Sequence, residues 1–404
     1  MMRRFHYAWL VCAGGTLMLF LTIGLGANVF SMFQPYLLEY GQLSPSQGAW
    51  LVTVRSFFIL VGMLTVDRLI TRLGLRRACV LALLLLAASS FLFGAVRTFS
   101  LYCLSSALVG LAYSWGGMVP ASLLVDRWFR QRQALALGII SAGTGLATIL
   151  APIPLSALIQ RVSLRAAYWC QGGFILLSAL IFWVLVRNSP EEKGLSPYGT
   201  GQANAAAQLR DAPAKATALH RGVILAVAFL VGPSTSLAII NFGVLYSTAG
   251  YSAAVVAQLI SWMGLCLMVG KIIYGQVVDH LGGRRSNYLL YLLVFAGFLL
   301  CTLASTGSVP LAFAAMTLGG LGLPLSAVSP PIWAKDLWGS RDYPRGLKWV
   351  QTSYALGILL AGPLPGILAD ATGSYVPAYQ LFLAMLILSL VLLAWAYETT
   401  KAGG

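Results

Sequence analysis

The sequence predicts an all-α polytopic membrane protein with twelve transmembrane helices in two pseudo-symmetric six-helix bundles. Three observations carry this reading. The chain of 404 residues is 59% hydrophobic and only 9% charged, with a mean hydropathy of +0.82, whereas soluble chains carry far more charge. Apolar segments, each about long enough to cross a bilayer, fill it from Tyr7 to Tyr397. The only long polar stretch, Asn188 to His220, falls near the middle.

In chain order, the first span is expected at about 7–33. It is too long for a secretory signal, so it reads as a topogenic first helix preceded by Arg3 and Arg4. The second, 46–70, contains Arg55, and a short loop with Arg72 and Arg76 leads to the third, 78–96. The fourth, 100–125, contains Tyr113 and Trp115. The fifth, 134–157, contains Gly143-Thr144-Gly145, which no strand precedes; it is a close helix contact rather than a dinucleotide loop. The sixth is 167–187. The second half is read as spans at 221–246, 253–278, 287–306, 309–333, 347–368 and 376–397. The domains are then 1–187, a linker at 188–220, and 221–404.

The net charge of +15 invites a nucleic-acid partner, but its placement argues for topology. Of 26 Lys and Arg, only Arg97, Arg161 and Arg165 lie on one side, Arg55 and Lys271 lie inside spans, and the other 21 lie on the opposite side. That bias places both termini and the central stretch in the cytoplasm, with no nucleic acid involved. The six cysteines all fall in spans, with no CxxC spacing, and read as packing residues rather than disulfide or metal ligands.

The halves repeat. Leu69-Ile70-Thr71-Arg72-Leu73-Gly74-Leu75-Arg76-Arg77 matches Val277-Val278-Asp279-His280-Leu281-Gly282-Gly283-Arg284-Arg285, the glycines 208 residues apart. Ala151-Pro152-Ile153-Pro154 matches Gly362-Pro363-Leu364-Pro365 at an offset of 211. Paired halves with helices interrupted at corresponding places predict alternating access, with a binding site between the halves. Ala203 to Ala218, rich in Ala and polar residues and without aromatics, reads as a flexible tether.

Ionisable residues inside a membrane are costly and are functional candidates by default. Lys271, in Gly270-Lys271-Ile272-Ile273-Tyr274-Gly275 and about two turns before Asp279, is the first. Its alternative is snorkelling to the cytoplasmic edge. Arg55 is the second, with an outer-rim position as its alternative; as a functional group it would draw anions into an outward-facing cavity.

The segment Gly275-Gln276-Val277-Val278-Asp279-His280-Leu281-Gly282-Gly283-Arg284-Arg285 resembles the G-x-x-x-D-(R)-x-G-x-R-R loop of the major facilitator superfamily. Trp128-Phe129-Arg130-Gln131-Arg132 with Ala136-Leu137-Gly138, Pro190-Glu191-Glu192-Lys193-Gly194 with Pro197-Tyr198-Gly199, and Phe33-Gln34-Pro35-Tyr36-Leu37 with Glu39-Tyr40-Gly41 resemble segments of its monocarboxylate and oxalate/formate transporters. The resemblance implies the major facilitator fold and gating roles for Asp279, Arg284, Arg285, Arg72 and Arg76. The first half departs: Asp67 and Thr71 stand where the loop has Gly and Asp, so Asp67 is the candidate replacement for that latch.

In those transporters a span-eight cation binds the substrate carboxylate, usually an Arg; here it is Lys271, without the planar fork. Two other family positions are apolar. Leu267 stands where animal-type members carry an Asp, and Ala355 or Leu356 stands where oxalate/formate exchangers carry a Lys. None of the 11 acidic residues sits at a predicted span centre, which leaves proton movement to the substrate or to Lys271. The superfamily's cavity-lining helices carry Asn28, Tyr113, Trp115, Asn241, Ser329, Gln351 and Tyr354, each weighed against a packing role. Asn28 and Asn241 occupy comparable points of the repeat, and buried amides need partners.

The sequence is therefore expected to encode a secondary transporter of small organic anions, monocarboxylates first, coupled to protons or to a counter-anion. It is expected to be a monomer in the inner (plasma) membrane of a bacterium. No bond chemistry, cofactor or metal is expected, because no nucleophile–base pair, metal cluster or cofactor loop lies inside the spans. The alternatives are an exporter of neutral or cationic compounds with the same fold, and a membrane sensor or anchoring protein; the latter would usually carry a soluble output domain.

Overall fold

The computed structural model describes residues 6–30, 33, 36–37, 40–41, 43, 45–200 and 216–401. Most of the expected tether, 203–215, and Gln34, Pro35 and Glu39 of the span-one motif lie outside the described residues. The chain divides into two compact units, Met1–Ala205 and Ala206–Gly404.

In the first unit, α1 (Ala8–Leu19) continues into a π-helical stretch, Phe20–Asn28. There follow α2 (Pro45–Leu73), α3 (Leu75–Ala95), α4 (Phe99–Trp115), α5 (Met118–Trp128), α6 (Gln133–Leu150), α7 (Pro152–Arg161) and α8 (Leu164–Leu185). The second unit has α9 (Ala218–Thr248), α10 (Ala253–Leu281), α11 (Gly283–Cys301), α12 (Val309–Gly322), α13 (Ser329–Ala361), α14 (Leu364–Thr372) and α15 (Val376–Lys401). No strand occurs among the described residues; an isolated bridge joins Phe129 and Tyr198.

Ten helical runs among the described residues are long and apolar enough to cross a membrane. One of them, Val309–Ala369, has 61 residues. At about 1.5 Å per residue this is far more than one bilayer needs, and it turns at Gly339, whose φ is 67°. It therefore supplies spans ten and eleven. The 19-residue α11 opens on Arg284 and Arg285, which lower its hydropathy, but runs apolar from Leu289 to Cys301 and supplies span nine. The total is twelve.

The two units are built alike. Spans one and five pack together, as do two and four, and three and six; in the second unit the pairs are seven and eleven, eight and ten, and nine and twelve. Small residues set the closest crossings. A Cβ on Gly143 would overlap the Thr16 carbonyl, and one on Gly357 the Phe229 carbonyl, as expected where backbones pack closely. The breaks also correspond. Span four parts at Gly116-Gly117 and span ten at Leu323–Ser326; span five restarts at Pro152 and span eleven at Leu364. Gly74 (φ 79°, ψ 157°) and Gly282 (φ 81°, ψ 161°) share one backbone conformation that L side chains rarely adopt.

Two features differ from the sequence expectation. The π-helix of span one ends with Val29 N–H donating to Gly24 O at 3.0 Å, the wide spacing of a π turn. Thr22 Oγ1 donates to Gly116 O at 2.8 Å, satisfying a carbonyl at the break in span four. The connection between spans ten and eleven is helical on both sides of a break at Gly339, rather than an irregular loop. The cysteine reading needs one adjustment: Cys12, Cys79, Cys266 and Cys301 are buried, Cys103 is partly so, and Cys170 is exposed.

Candidate functional site

Lys271 sits inside α10 and is only 5% exposed. Its turn is pressed against the break in span ten: a Cβ on Gly270 would lie 3.0 Å from Leu321 Cα and 3.2 Å from Pro324 Cγ. Three residues on, hence on the same helical face, the buried Tyr274 donates to Asn287 Oδ1 at 3.0 Å and shares a hydrogen bond with Ser329 Oγ at 3.2 Å. Ser329 is thus joined to Tyr274 and Asn287 in a fully buried cluster. From the sequence Ser329 is expected in a cavity wall, and its two partners are not among the expected site residues. Their signal was available: a Tyr one turn from an intramembrane Lys, and an Asn near the start of span nine.

Span eleven carries two candidates, one of which meets span seven. The Tyr354 hydroxyl lies 2.7 Å from Ser236 Oγ and 3.3 Å from Thr235 Oγ1. Gln351 is 5% exposed, and its Nε2 has no hydrogen-bond partner among the described residues. A buried amide donor in that position is open to a ligand acceptor. Asn241 is half-buried and donates to Leu237 O, one turn back on its own helix, at 2.8 Å.

In the first unit, half-buried Arg55 docks on span one. Its Nη1 donates to Ala27 O at 3.4 Å and its guanidinium lies 5.0 Å from the Phe30 ring centre. It therefore binds a carbonyl near the end of the π-helix, where helices leave acceptors unmet. Tyr113 lies close enough to interact with it electrostatically. Trp115 Nε1 donates to Thr65 Oγ1 at 3.2 Å, tying span four to span two. Asn28 is exposed and donates to Thr148 Oγ1 at 3.3 Å.

The gating candidates separate into two kinds. Arg284 pairs with Glu398 of α15 at 3.0 Å, and Asp279 on α10 is half-buried. Arg76 is held within its own unit: its Nε donates to Trp183 O at 3.0 Å, its guanidinium covers the Trp183 ring at 3.6 Å, and its backbone N–H donates to Asn188 Oδ1 at 2.9 Å. Arg72 and Arg285 are exposed, and Asp67 is half-buried. Beside Asn188, the turn Pro190–Lys193 carries Glu191, whose carboxyl is held below the usual carboxylate range by a hydrogen bond from Ser189. Among the described residues no group of three His, Cys, Asp or Glu side chains is placed to hold a metal ion.

The arrangement consists of a buried lysine, a half-buried arginine, amides and hydroxyls on interrupted helices. It can bind and release a solute, and no pairing suited to bond chemistry occurs among the described residues. Comparison with known proteins agrees. Human Monocarboxylate transporter 12 is 26% identical over 96% of this chain and 80% of its own length. The MFS-type transporter pytF of Aspergillus terreus is 27% identical over 68% of this chain and 90% of its own. Among solved structures, the transporter FucP in the outward conformation matches with a TM-score of 0.72 at 14% identity, over 96% of this chain and 98% of its own. The human organic anion transporter MFSD10 matches with a TM-score of 0.72 at 16% identity, over 96% and 99%; at these identities the likeness is one of fold. The family description "Major Facilitator Superfamily" matches residues 16–306 and 224–403. Taken with the twelve spans and the repeated breaks, this match makes the chain a member of the major facilitator superfamily, a multi-pass membrane transporter and not an enzyme.

Proposed function

We propose that this transporter moves small organic anions, monocarboxylates first, by alternating access, with Lys271 as the principal electrostatic contact for the carboxylate. The observation that carries the reading is a lysine held 5% exposed inside a membrane span, a placement whose cost implies use. The 26% identity to Monocarboxylate transporter 12 over 96% of the chain supports the substrate class. Arg55, Asn28, Tyr113, Trp115, Asn241, Gln351 and Tyr354 are the proposed secondary contacts, and Ser329 acts through the Tyr274 cluster. Asp279, Arg284, Arg285, Arg72, Arg76 and Asp67 are proposed for gating. Transport is coupled to protons or to a counter-anion.

The proposed organisation is 1–187, 188–220 and 221–404, with both termini and the central stretch cytoplasmic. This rests on the 21 basic residues gathered on one side. Placement in a bacterial inner membrane belongs to the same proposal, although the named relatives are animal and fungal.

A second reading has its own support. An Aspyridones efflux protein of Emericella nidulans is 28% identical over 44% of this chain and 37% of its own length, which favours the alternative of an exporter with the same fold. Uptake of a labelled carboxylate panel into proteoliposomes, with and without a pH gradient, separates the two. Saturable carboxylate movement is the expected result. Movement of neutral or cationic compounds alone would replace the anion reading.

A further inference from the structure

Span six carries a polar pair with no part in the reading above. Tyr168 and Gln171 stand three residues apart on one face of α8 and are 2% and 6% exposed. Both line a small internal cavity of about 10 Å³ in the first unit, together with Gly26 and Phe30 of span one and Ser89 and Ser90 of α3. The Tyr168 ring is held in place, stacked on Phe33 at 4.2 Å and on Phe93 at 5.3 Å, so its hydroxyl cannot swing to another partner.

That hydroxyl and Gln171 Oε1 are buried with no hydrogen-bond partner among the described residues. The other end of the amide is engaged: Gln171 Nε2 donates to Ser90 Oγ at 3.4 Å. Rotating the amide does not help, because the Ser90 proton is already given to Leu86 O at 3.1 Å and an oxygen turned toward it would find no donor. The Ser89 proton goes to Ser105 O at 2.9 Å. Both serine oxygens keep lone pairs that can accept.

The residues that line this space of one-water size thus carry one donor and one acceptor without partners among the described residues, and additional acceptors. Polar cavities of about this volume hold water, whereas apolar ones stay dry. We infer that Tyr168 and Gln171 bind a single buried water. The water accepts from the Tyr168 hydroxyl, donates to Gln171 Oε1, and gives its second proton to a serine oxygen. Three hydrogen bonds are the usual complement of a buried water. It joins span six to span three beside Phe30, the ring on which Arg55 rests. A solute larger than water does not fit the volume.

The test is thermal unfolding of the full chain in detergent for Tyr168→Phe, Gln171→Leu and the double variant. Tyr168→Phe keeps the ring and its stacking, so it is the variant least disturbing to folding. A bridging water predicts that each single change lowers the midpoint by about 2–4 °C. It also predicts that the double change costs less than the two together, because either one leaves the water short of a partner. If the cavity is dry, Tyr168→Phe removes a buried unmet hydroxyl, and the midpoint rises or stays level; that result overturns the inference. A density map that shows ordered water elsewhere in the helices should show a peak within hydrogen-bonding reach of both atoms, and an empty cavity there would overturn it equally.

Discussion

Tyr198 is bound to Phe129 and its neighbours on both edges of its peptide unit. Its N–H donates to Trp128 O at 2.9 Å, and its carbonyl accepts from Arg130 N–H at 2.9 Å. Two of the motifs that resemble the monocarboxylate branch, one after span four and one after span six, therefore meet in space. The ring of Tyr198 packs at 5.7 Å from both Phe129 and Trp9 and at 5.4 Å from His6, while Trp128 Nε1 donates to Arg187 O at 3.1 Å. The segment after span six, up to at least Tyr198, is thus part of the first unit's packing.

Replacing Tyr198 with Ala should destabilise the protein by about 1–2 kcal/mol, the scale for losing a half-buried aromatic with several ring contacts. The backbone pairing does not need the side chain, so the loss should come from the rings. Denaturant or thermal unfolding of Tyr198→Ala against Tyr198→Phe measures it. The Phe variant should stay near wild type, since none of these contacts uses the hydroxyl. Equal losses for both would remove the ring cluster from the argument.

Gly74 and Gly282 provide a second comparison. Both have φ near +80°, where a side chain strains the backbone by about 1–3 kcal/mol. A Cβ on Gly282 meets nothing within 4 Å, whereas one on Gly74 would lie 3.3 Å from Asn188 Oδ1. Gly282→Ala should therefore show the conformational cost alone. Gly74→Ala should cost more, because it also crowds the Asn188 contact to Arg76. Unfolding midpoints of the two variants, measured side by side, check the order.

The physics that made one part of this protein legible in sequence hid another. Bilayer thickness imposes a length on each apolar run, so the twelve spans can be read directly. The φ requirement at Gly74 and Gly282 preserves a matching pattern across 208 residues. The π-helix at Phe20–Asn28 leaves no such trace, since its residues suit an α-helix equally well. The helices on either side of Gly339, from Lys335 to Arg345, are hidden by their charges, which read as a loop between spans. Side-chain destinations were the least legible part of the site. Arg76 has the sequence position of a gating residue, yet it is held by Trp183 and Asn188, because a cation finds an aromatic face and an amide within reach. The sequence gives no sign that the Ser329 hydroxyl shares a hydrogen bond with Tyr274.

Orientation gives a prediction independent of substrate. With 21 basic residues on one side, a cysteine introduced within 203–218 should resist impermeant thiol reagents in intact cells and react once the membrane is opened. The exposed native Cys170 is replaced first so that it gives no background. Labelling from outside would reverse the orientation and the charge argument together.

Coupling follows from the acidic residues. The only one on α10 is Asp279, near its C-terminal end, and Leu267 stands one turn before Lys271. No carboxylate near Lys271 on that helix is placed to carry a proton with the substrate. Exchange of one anion for another should then be at least as fast as net uptake driven by a proton gradient, and external pH should act mainly through the substrate and Lys271. Counterflow and net uptake in the same proteoliposomes decide it. Net uptake that requires the gradient, with no stimulation by an internal anion, is the contrary outcome.

Lys271 bears the most weight. Met or Gln in its place keeps most of the stem volume and removes the charge, so carboxylate binding should fall by roughly tenfold or more, the scale of one partly desolvated charge-assisted contact. Arg should restore much of it through its planar fork, provided the longer side chain fits a turn already packed on Leu321 and Pro324. The measurement is the carboxylate-induced rise in melting temperature for wild type, Lys271→Gln and Lys271→Arg in detergent, each against its own ligand-free midpoint. That internal reference separates lost binding from lost folding. A full carboxylate response in Lys271→Gln would make Lys271 a snorkelling residue, and the organic-anion reading would lose the observation on which it stands.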